Sequence, residues 1–216
     1  MKKTLYLFIT YMLIIPIIIS LFFYNNPSDE IEIISSIIIV ILQILLYFFS
    51  YKDSIIKDIK NFKAKYILTA IKEWIFLFIT LITLNLFIIT IVGSQASNET
   101  AQRSIIAIYP ILSIFTTGIL GPISEELVFR KSIREVIKNP KTFIIVSSII
   151  FGSVHLLSGF IDGSIMANPL QLLFIIPYSS MGIYFARAYI KTDNILTSTI
   201  MHIMHNIITI LIIIGG

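Results

Sequence analysis

The stretch ILTSTIMHIMHNIITILIII (residues 195–214) is long and apolar enough to decide the fold class. A helix needs about 20 predominantly apolar residues to cross the hydrocarbon core of a bilayer, and this stretch contains no Asp, Glu, Lys or Arg. The whole chain has the same character, with 56% hydrophobic residues, 13% charged residues and a mean hydropathy of +0.93. The sequence therefore predicts an integral membrane protein built from helices.

Six further apolar segments of spanning length precede this stretch. The seven predicted spans are residues 5–24, 31–51, 74–92, 105–120, 143–157, 170–190 and 195–214. The count rises to eight if SEELVFR (residues 124–130) and its flanks form a separate helix. We expect an all-α, polytopic transmembrane bundle in one integral membrane domain, residues 1–216. Residues 1–104 form the N-terminal helices and a connector, and residues 105–214 form the core that carries the polar motifs.

The first apolar run and the absence of cysteine exclude several other classes of protein. Residues 5–24 follow two lysines, as in a signal peptide, but the run is too long and no small-residue cleavage site follows it. We therefore expect a retained first helix. With no cysteine in the chain, disulfides, thiol catalysis and cysteine-ligated metals are excluded. We attribute the net charge of +4 to membrane topology and not to nucleic-acid binding. No nucleic-acid partner is therefore expected.

The loops predict the orientation. Alternate loops collect the basic residues, which are Lys2, Lys3, Lys52, Lys57, Lys60, Lys63, Lys65, Lys131, Arg134, Lys138, Lys141, Arg187 and Lys191. The opposite loops are polar or acidic. By the positive-inside rule the basic side is cytoplasmic, so the N-terminus lies inside and the C-terminus outside a multi-pass protein of the cell membrane. Residues 51–66 place isoleucines on one helical face and lysines around the other, which is typical of a connector at the headgroup boundary that anchors the topology.

Charged residues inside the predicted membrane region need a separate explanation. SEELVFR contains Glu125, Glu126 and Arg130, and each charge at the centre of a span costs about 3 kcal/mol. Such residues normally face a polar cavity, pair with one another and serve a function. A purely structural Glu–Arg pair is the alternative.

All three histidines of the chain also lie within predicted spans. FGSVH (residues 151–155) puts Phe151 and His155 four residues apart, and HIMHN (residues 202–206) does the same for His202 and Asn206. Residues at this spacing share one helical face. His205 points about 100° away from Asn206 and is given no catalytic role.

The three motifs are predicted to lie at the same depth in the membrane. Pro140 in KNPK should end one helix and begin the next, and Glu125 and His155 each lie 15 residues from it. At ~1.5 Å per residue both are ~22 Å from the tip of an antiparallel hairpin. His202 is 9 residues past Asp193, in the last span, and reaches a similar level. We expect the Glu125 carboxylate within about 8 Å of both imidazoles, in a cavity that opens toward the cytoplasm.

These groups could hydrolyse an acyl bond. Arg130 keeps one of the two glutamates ionised, which leaves the neighbouring glutamate free to accept a proton from water. One imidazole could hold that water, and a second imidazole with an amide could stabilise an oxyanion. The chain has no HExxH and no GxSxG motif, so neither a zincin nor a serine hydrolase fits.

In these motifs the chain resembles the CAAX-protease and bacteriocin-processing family, also called the Abi family. SEELVFR matches EExxxR, FGSVH matches FxxxH and HIMHN matches HxxxN. The resemblance implies an intramembrane endopeptidase in which Glu125 activates water, His155 helps to hold it, and His202 with Asn206 stabilises the oxyanion. Glu126, Arg130 and Phe151 support the site. It also implies catalysis without a required metal, although zinc on Glu125, His155 and His202 would satisfy ligand chemistry.

The expected partners are a peptide or membrane-protein substrate and the surrounding lipids. The Ile-, Lys- and Asn-rich composition is typical of AT-rich bacterial genomes and favours peptide or bacteriocin processing or self-immunity over prenyl-protein maturation. A non-catalytic immunity or scaffolding protein that retains the protease fold is the alternative function. A transporter would be expected to show a repeated pair of broken helices, and the sequence has none.

Overall fold

A computed structural model describes residues 2–11 and 29–216, and in that part of the chain every regular element is a helix. The long helices are α1 (Lys2–Ile9), α2 (Asp29–Lys60), α3 (Lys65–Val92), α4 (Ser97–Ile108), α5 (Pro110–Val136), α6 (Pro140–Val154), α9 (Ile175–Thr192) and α10 (Ile195–Gly215). Short helices α7 (Leu157–Ile161) and α8 (Ser164–Ala167) and a 3-10 turn (Pro169–Phe174) join α6 to α9. The predicted all-α fold is confirmed.

Six segments of the described residues are long and apolar enough to cross a membrane. They are Ile37–Lys60, Lys65–Val92, Pro110–Val136, Pro140–Ile161, Pro169–Thr192 and Ile195–Gly215. Each corresponds to one of the predicted spans, and the remaining one, residues 5–24, lies largely outside the described residues. Their outer faces present large apolar side chains, such as Phe76 and Phe87 on α3, as expected of surfaces that meet lipid.

The fourth predicted span differs most from the structure. Residues 105–120 were expected to cross, but the chain bends at Tyr109, where φ is −128° and ψ is 62°, and a new helix starts at Pro110. Proline favours the first position of a helix because it has no N–H to leave unpaired. The span then continues to Val136, so SEELVFR forms the second half of α5 and not a separate eighth helix.

Two π-helical turns interrupt α5, at Thr116–Leu120 and at Leu127–Ser132. A π turn inserts one extra residue into the helical ladder and changes which side chains face a neighbour. In the second turn all six residues, from Leu127 to Ser132, are buried. This turn therefore surrounds Arg130 with protein instead of leaving it on a lipid-facing surface.

Helices α6 and α9 pack most closely, because small residues line both faces. A Cβ at Gly182 would lie only 2.7 Å from the Cα of Ser148, and one at Gly152 would lie 2.8 Å from the backbone nitrogen of Ser179. Small residues allow close backbone approach between membrane helices. The contact brings the rings of Phe151 and Phe185 to 6.1 Å in an edge-to-face arrangement.

The predicted connector of residues 51–66 is more than an interfacial anchor. Helix α2 bends at Tyr51 (φ −121°, ψ 20°) and continues to Lys60. Ile55 and Asp58 on this segment are buried, whereas Ile59 is 52% exposed. The Asp58 carboxylate lies 2.5 Å from the Lys131 ammonium, and Asn194 donates to the Asp58 carbonyl at 2.6 Å. These contacts fasten the connector to the ends of α5 and α10.

Candidate active site

The buried pair Glu126 and Arg130 forms the centre of the site, one helical turn apart on α5. Both side chains have no exposed surface, and Glu126 Oε2 lies 3.5 Å from Arg130 Nε. The other carboxylate oxygen, Oε1, lies 3.2 Å from Nδ1 of His202 on α10. An ionised carboxylate only accepts, so the imidazole donates from Nδ1. Glu126 is therefore committed to holding Arg130 and orienting His202.

Glu125 occupies a different environment from its neighbour. Its side chain is 22% exposed, and its Oε2 lies 3.8 Å from Nε2 of His202. At this distance the two atoms are near neighbours without a direct hydrogen bond. His202 thus lies between two carboxylates, with Nδ1 toward the buried Glu126 and Nε2 toward the accessible Glu125. The predicted meeting of the first and third motifs is present in the structure.

Aromatic rings enclose His202 and Arg130. The Phe185 ring stacks on the His202 imidazole with centroids 4.2 Å apart and an interplanar angle of 23°. Phe151 meets the same imidazole edge-on at 5.9 Å. The Arg130 guanidinium carbon lies 5.0 Å from the Phe151 ring centroid and 5.8 Å from that of Phe185. Such cation–π contacts are stronger when the cation is desolvated, so the rings help to keep a charge inside the bundle.

His155 approaches from the end of α6. Its Nδ1 lies 2.8 Å from the Phe151 carbonyl, and because a carbonyl only accepts, Nδ1 carries the proton and Nε2 keeps its lone pair. The ring stacks on Tyr178 at 4.9 Å and contacts the Phe151 ring at 4.4 Å. Both imidazoles thus contact the same phenyl ring.

The side chain of Asn206 is hydrogen-bonded to α5, and no hydrogen bond joins it to the side chain of Glu125 or His202. Its Nδ2 donates to the Thr117 carbonyl at 2.9 Å, inside the first π turn. A primary amide has two N–H donors, so one remains for another acceptor. His205 is buried, with its ring 6.4 Å from that of Phe185, and it forms no hydrogen bond or ion pair with Glu125 or Glu126.

The sequence did not single out Phe185 or Tyr178 as parts of the site. Both lie in the span Pro169–Thr192, which contains none of the three motifs. Aromatic residues in such a span are typical of ordinary lipid-facing or core positions. Only the packing of α9 against α6 and α10 reveals their contacts. No local pattern in the sequence could have identified them.

Metal binding by Glu125, His155 and His202 does not follow from this arrangement. Across residues 2–11 and 29–216, no three His, Asp or Glu side chains are grouped so that they could hold a metal ion. The three donors therefore do not fit a metal in this geometry, and we derive no step through one. Catalysis without a required metal stays a prediction.

Comparison with known families gives independent information on this core. Residues 107–208 match the family model described as Rce1-like, type II CAAX prenyl endopeptidase Rce1-like. The matched segment contains SEELVFR, FGSVH and HIMHN. The resemblance to the CAAX-protease family that these motifs indicated is confirmed.

Several curated bacterial proteins are similar over longer stretches. UPF0177 protein YxdF of Lactococcus lactis is 29% identical over 74% of this chain and 84% of its own length. The putative membrane peptidase YdiL of Bacillus subtilis is 30% identical over 53% of this chain and 42% of its own. The membrane-embedded CAAX protease MroQ of Staphylococcus aureus is 32% identical over 62% and 54%. The chain thus spans about half the length of the latter two relatives. No solved structure gives a significant match.

Proposed function

We propose that this multi-pass membrane protein, which resembles the CAAX proteases, is a glutamate-dependent endopeptidase that hydrolyses peptide bonds within the membrane. The observation that carries the proposal is the pair of unequal carboxylates around His202. Glu126 is fully buried and engaged with Arg130 and His202, whereas Glu125 is 22% exposed and faces the free edge of the same imidazole. One glutamate is therefore structural, and the other is available to water.

In the proposed reaction Glu125 is the general base. It takes a proton from a water molecule as the water oxygen bonds to the scissile carbonyl carbon, and the carbonyl oxygen becomes an oxyanion. Collapse of the tetrahedral intermediate breaks the C–N bond, and the proton held by Glu125 passes to the leaving nitrogen. A carboxylate that exchanges protons must reach water, which favours Glu125 over Glu126.

The other polar groups hold the reactants. His155 keeps its Nε2 lone pair and can accept a hydrogen bond from the attacking water. Donors aimed at a developing oxyanion lower the barrier most in a site that excludes bulk water. We assign this role to the second N–H of Asn206, whose first N–H is held by Thr117. We also assign it to His202 in its protonated form, because only an imidazolium carries an N–H on Nε2 while Nδ1 donates to Glu126.

The substrate is a peptide or a membrane protein, and the site opens toward the cytoplasm. The basic ends of α2, α5 and α9 support that orientation by the positive-inside rule, with the N-terminus inside and the C-terminus outside. The names of the relatives, a putative membrane peptidase and a CAAX protease, support proteolysis. We favour peptide or bacteriocin processing or self-immunity as the biological setting.

The experiment that tests this function uses detergent-purified protein and a peptide library. Cleavage by the wild type that disappears in Glu125→Gln supports the proposal, because the change preserves shape and removes only the base. Cleavage that stops when a chelator is added and returns with zinc would instead assign the chemistry to a metal. An unchanged immunity phenotype with Glu125→Gln would favour the non-catalytic scaffold.

A further inference from the structure

A polar cavity of about 390 Å³ lies at the lysine-rich ends of the helices, apart from the candidate active site. Its walls come from the end of α2, the end of α5, the start of α3 and the turn between α9 and α10. Five candidate membrane spans begin or end within one residue of the cavity lining. The cavity is therefore at the level of the lipid headgroups, and its volume is in the range of small-molecule sites, roughly 300–1,000 Å³.

The charges on the cavity wall leave two cations without a carboxylate partner. Lys131 pairs with Asp58 at 2.5 Å, and Lys138 pairs with Glu135 at 3.5 Å. Among the residues that the structure describes, Lys57 and Arg134 form no ion pair. Asp193 is the one lining carboxylate left unpaired in the same described set, and it lies on the turn between α9 and α10.

Arg134 is held so that part of its guanidinium stays available. Its Nη1 donates to the carbonyls of Ile137 and Lys138, and its carbon lies 5.7 Å from the Phe143 ring centroid. These contacts fix the plane of the group but use one of its three nitrogens. The remaining N–H groups form the fork that binds two oxygens of a phosphate at once.

We propose that this cavity binds a phosphate group, supplied by the headgroup of an anionic membrane lipid, between Lys57 and Arg134. Basic pockets between membrane helices on the cytoplasmic side attract anionic headgroups, and each nearby cation adds to the affinity. The phosphate is neutralised by the two unpaired cations, while the acyl chains follow the apolar faces of the adjacent helices. This site does not depend on Glu125 or on the proposed proteolysis.

The test measures the thermal unfolding midpoint of the purified full chain in a neutral detergent. Short-chain phosphatidylglycerol, phosphatidylcholine with the same acyl chains, and inorganic phosphate are titrated separately. A ligand that binds only the folded state raises the midpoint in proportion to its concentration and affinity. We expect phosphatidylglycerol to raise the midpoint more than phosphatidylcholine does. If inorganic phosphate alone raises the unfolding midpoint equally, the cavity is an anion site that binds free phosphate and not a lipid headgroup.

Matched variants connect the effect to the cavity. The Lys57 side chain is exposed and forms no ion pair with any residue that the structure describes, so Lys57→Gln should fold normally and lower the apparent affinity for phosphatidylglycerol about fivefold. Lys60→Gln removes the same charge from the same helix outside the cavity and should bind like the wild type. Arg134→Lys keeps the charge but loses the fork, and should also weaken binding. Equal weakening by Lys57→Gln and Lys60→Gln, or equal stabilisation of the wild type by both lipids, would overturn the proposal.

Discussion

The Nδ1 atom of His202 lies 3.2 Å from Oε1 of Glu126, and this contact joins α10 to α5 at the centre of the candidate site. Glu126 also faces Arg130 at 3.5 Å, with neither side chain exposed. One carboxylate therefore balances a buried cation and fixes the orientation of an imidazole. The neighbouring Glu125 makes neither of these contacts, although it is adjacent in sequence and lies 3.8 Å from the other edge of the same ring.

Exchange of Glu126 should chiefly affect stability. Glu126→Gln leaves the Arg130 guanidinium buried without an opposing charge, and breaking such a pair costs about 3–5 kcal/mol. We expect a much lower unfolding midpoint in detergent and less protein in the membrane. Glu125→Gln is the matched control, because its side chain is partly exposed, and it should unfold close to the wild type. Similar midpoints for the two variants would contradict the division of roles.

The contact between α6 and α9 should not tolerate a methyl group at Gly182. The added Cβ would lie 2.7 Å from the Cα of Ser148, and backbone cannot move aside as a flexible side chain can. Overpacking of this kind costs about 1–3 kcal/mol. Gly182→Ala should therefore lower the unfolding midpoint, whereas Gly215→Ala, with nothing within 4 Å of the new carbon, should not. Equal midpoints for the two variants would show that the helices are not packed this closely.

Asn206 should affect the rate more than the stability. Asn206→Ala loses one hydrogen bond to the Thr117 carbonyl, and interhelical bonds in membranes contribute only about 0.6 kcal/mol on average. Loss of an oxyanion donor costs on the order of 100- to 1,000-fold in turnover. We expect a small shift in midpoint with residual cleavage in that range. A wild-type cleavage rate in Asn206→Ala would show that Asn206 takes no part in the reaction and only links α10 to α5.

The sequence predicted the helices and the polar motifs because both depend on local spacing. Apolar runs of spanning length and i, i+4 pairs are visible in one dimension, and the hairpin at Pro140 follows from the conformational limits of proline. Asn139 caps the second arm of that hairpin by accepting from the Thr142 N–H at 3.1 Å. The depth argument therefore placed Glu125 and His202 correctly with respect to each other.

The two π turns in α5 could not be predicted from spacing, because they depart from the α-helical periodicity on which that argument depends. The pairing of Glu126 with Arg130, in contrast, is the i, i+4 pairing that an ordinary helix predicts. The role of Asp58 could not be predicted from the sequence either. It lies in a lysine-rich segment that is typical of an interfacial helix, and only the bend at Tyr51 brings it to Lys131.

The orientation of the chain is open to a direct labelling test. Ser97 and Asp162 are hydrogen-bonded to each other, so they must lie on one side of the membrane. Since the chain has no cysteine, single cysteines introduced at Asp162 and at Lys60 are unique labels. We expect a membrane-impermeant maleimide to label Asp162→Cys but not Lys60→Cys in intact cells. Labelling of Lys60→Cys alone would show that the orientation is the reverse of the predicted one and that the basic cavity faces the outside of the cell.

The measurement that tests the central claim most directly is the cleavage rate of Glu125→Gln on a peptide that the wild type cuts. The rate is compared per folded molecule, with His205→Gln as a control at a buried histidine that forms no hydrogen bond or ion pair with either glutamate. The account predicts no detectable cleavage by Glu125→Gln, an unfolding midpoint near the wild type, and substantial cleavage by His205→Gln. Equal cleavage by Glu125→Gln and the wild type would contradict Glu125 as the general base and, with it, the proposed mechanism.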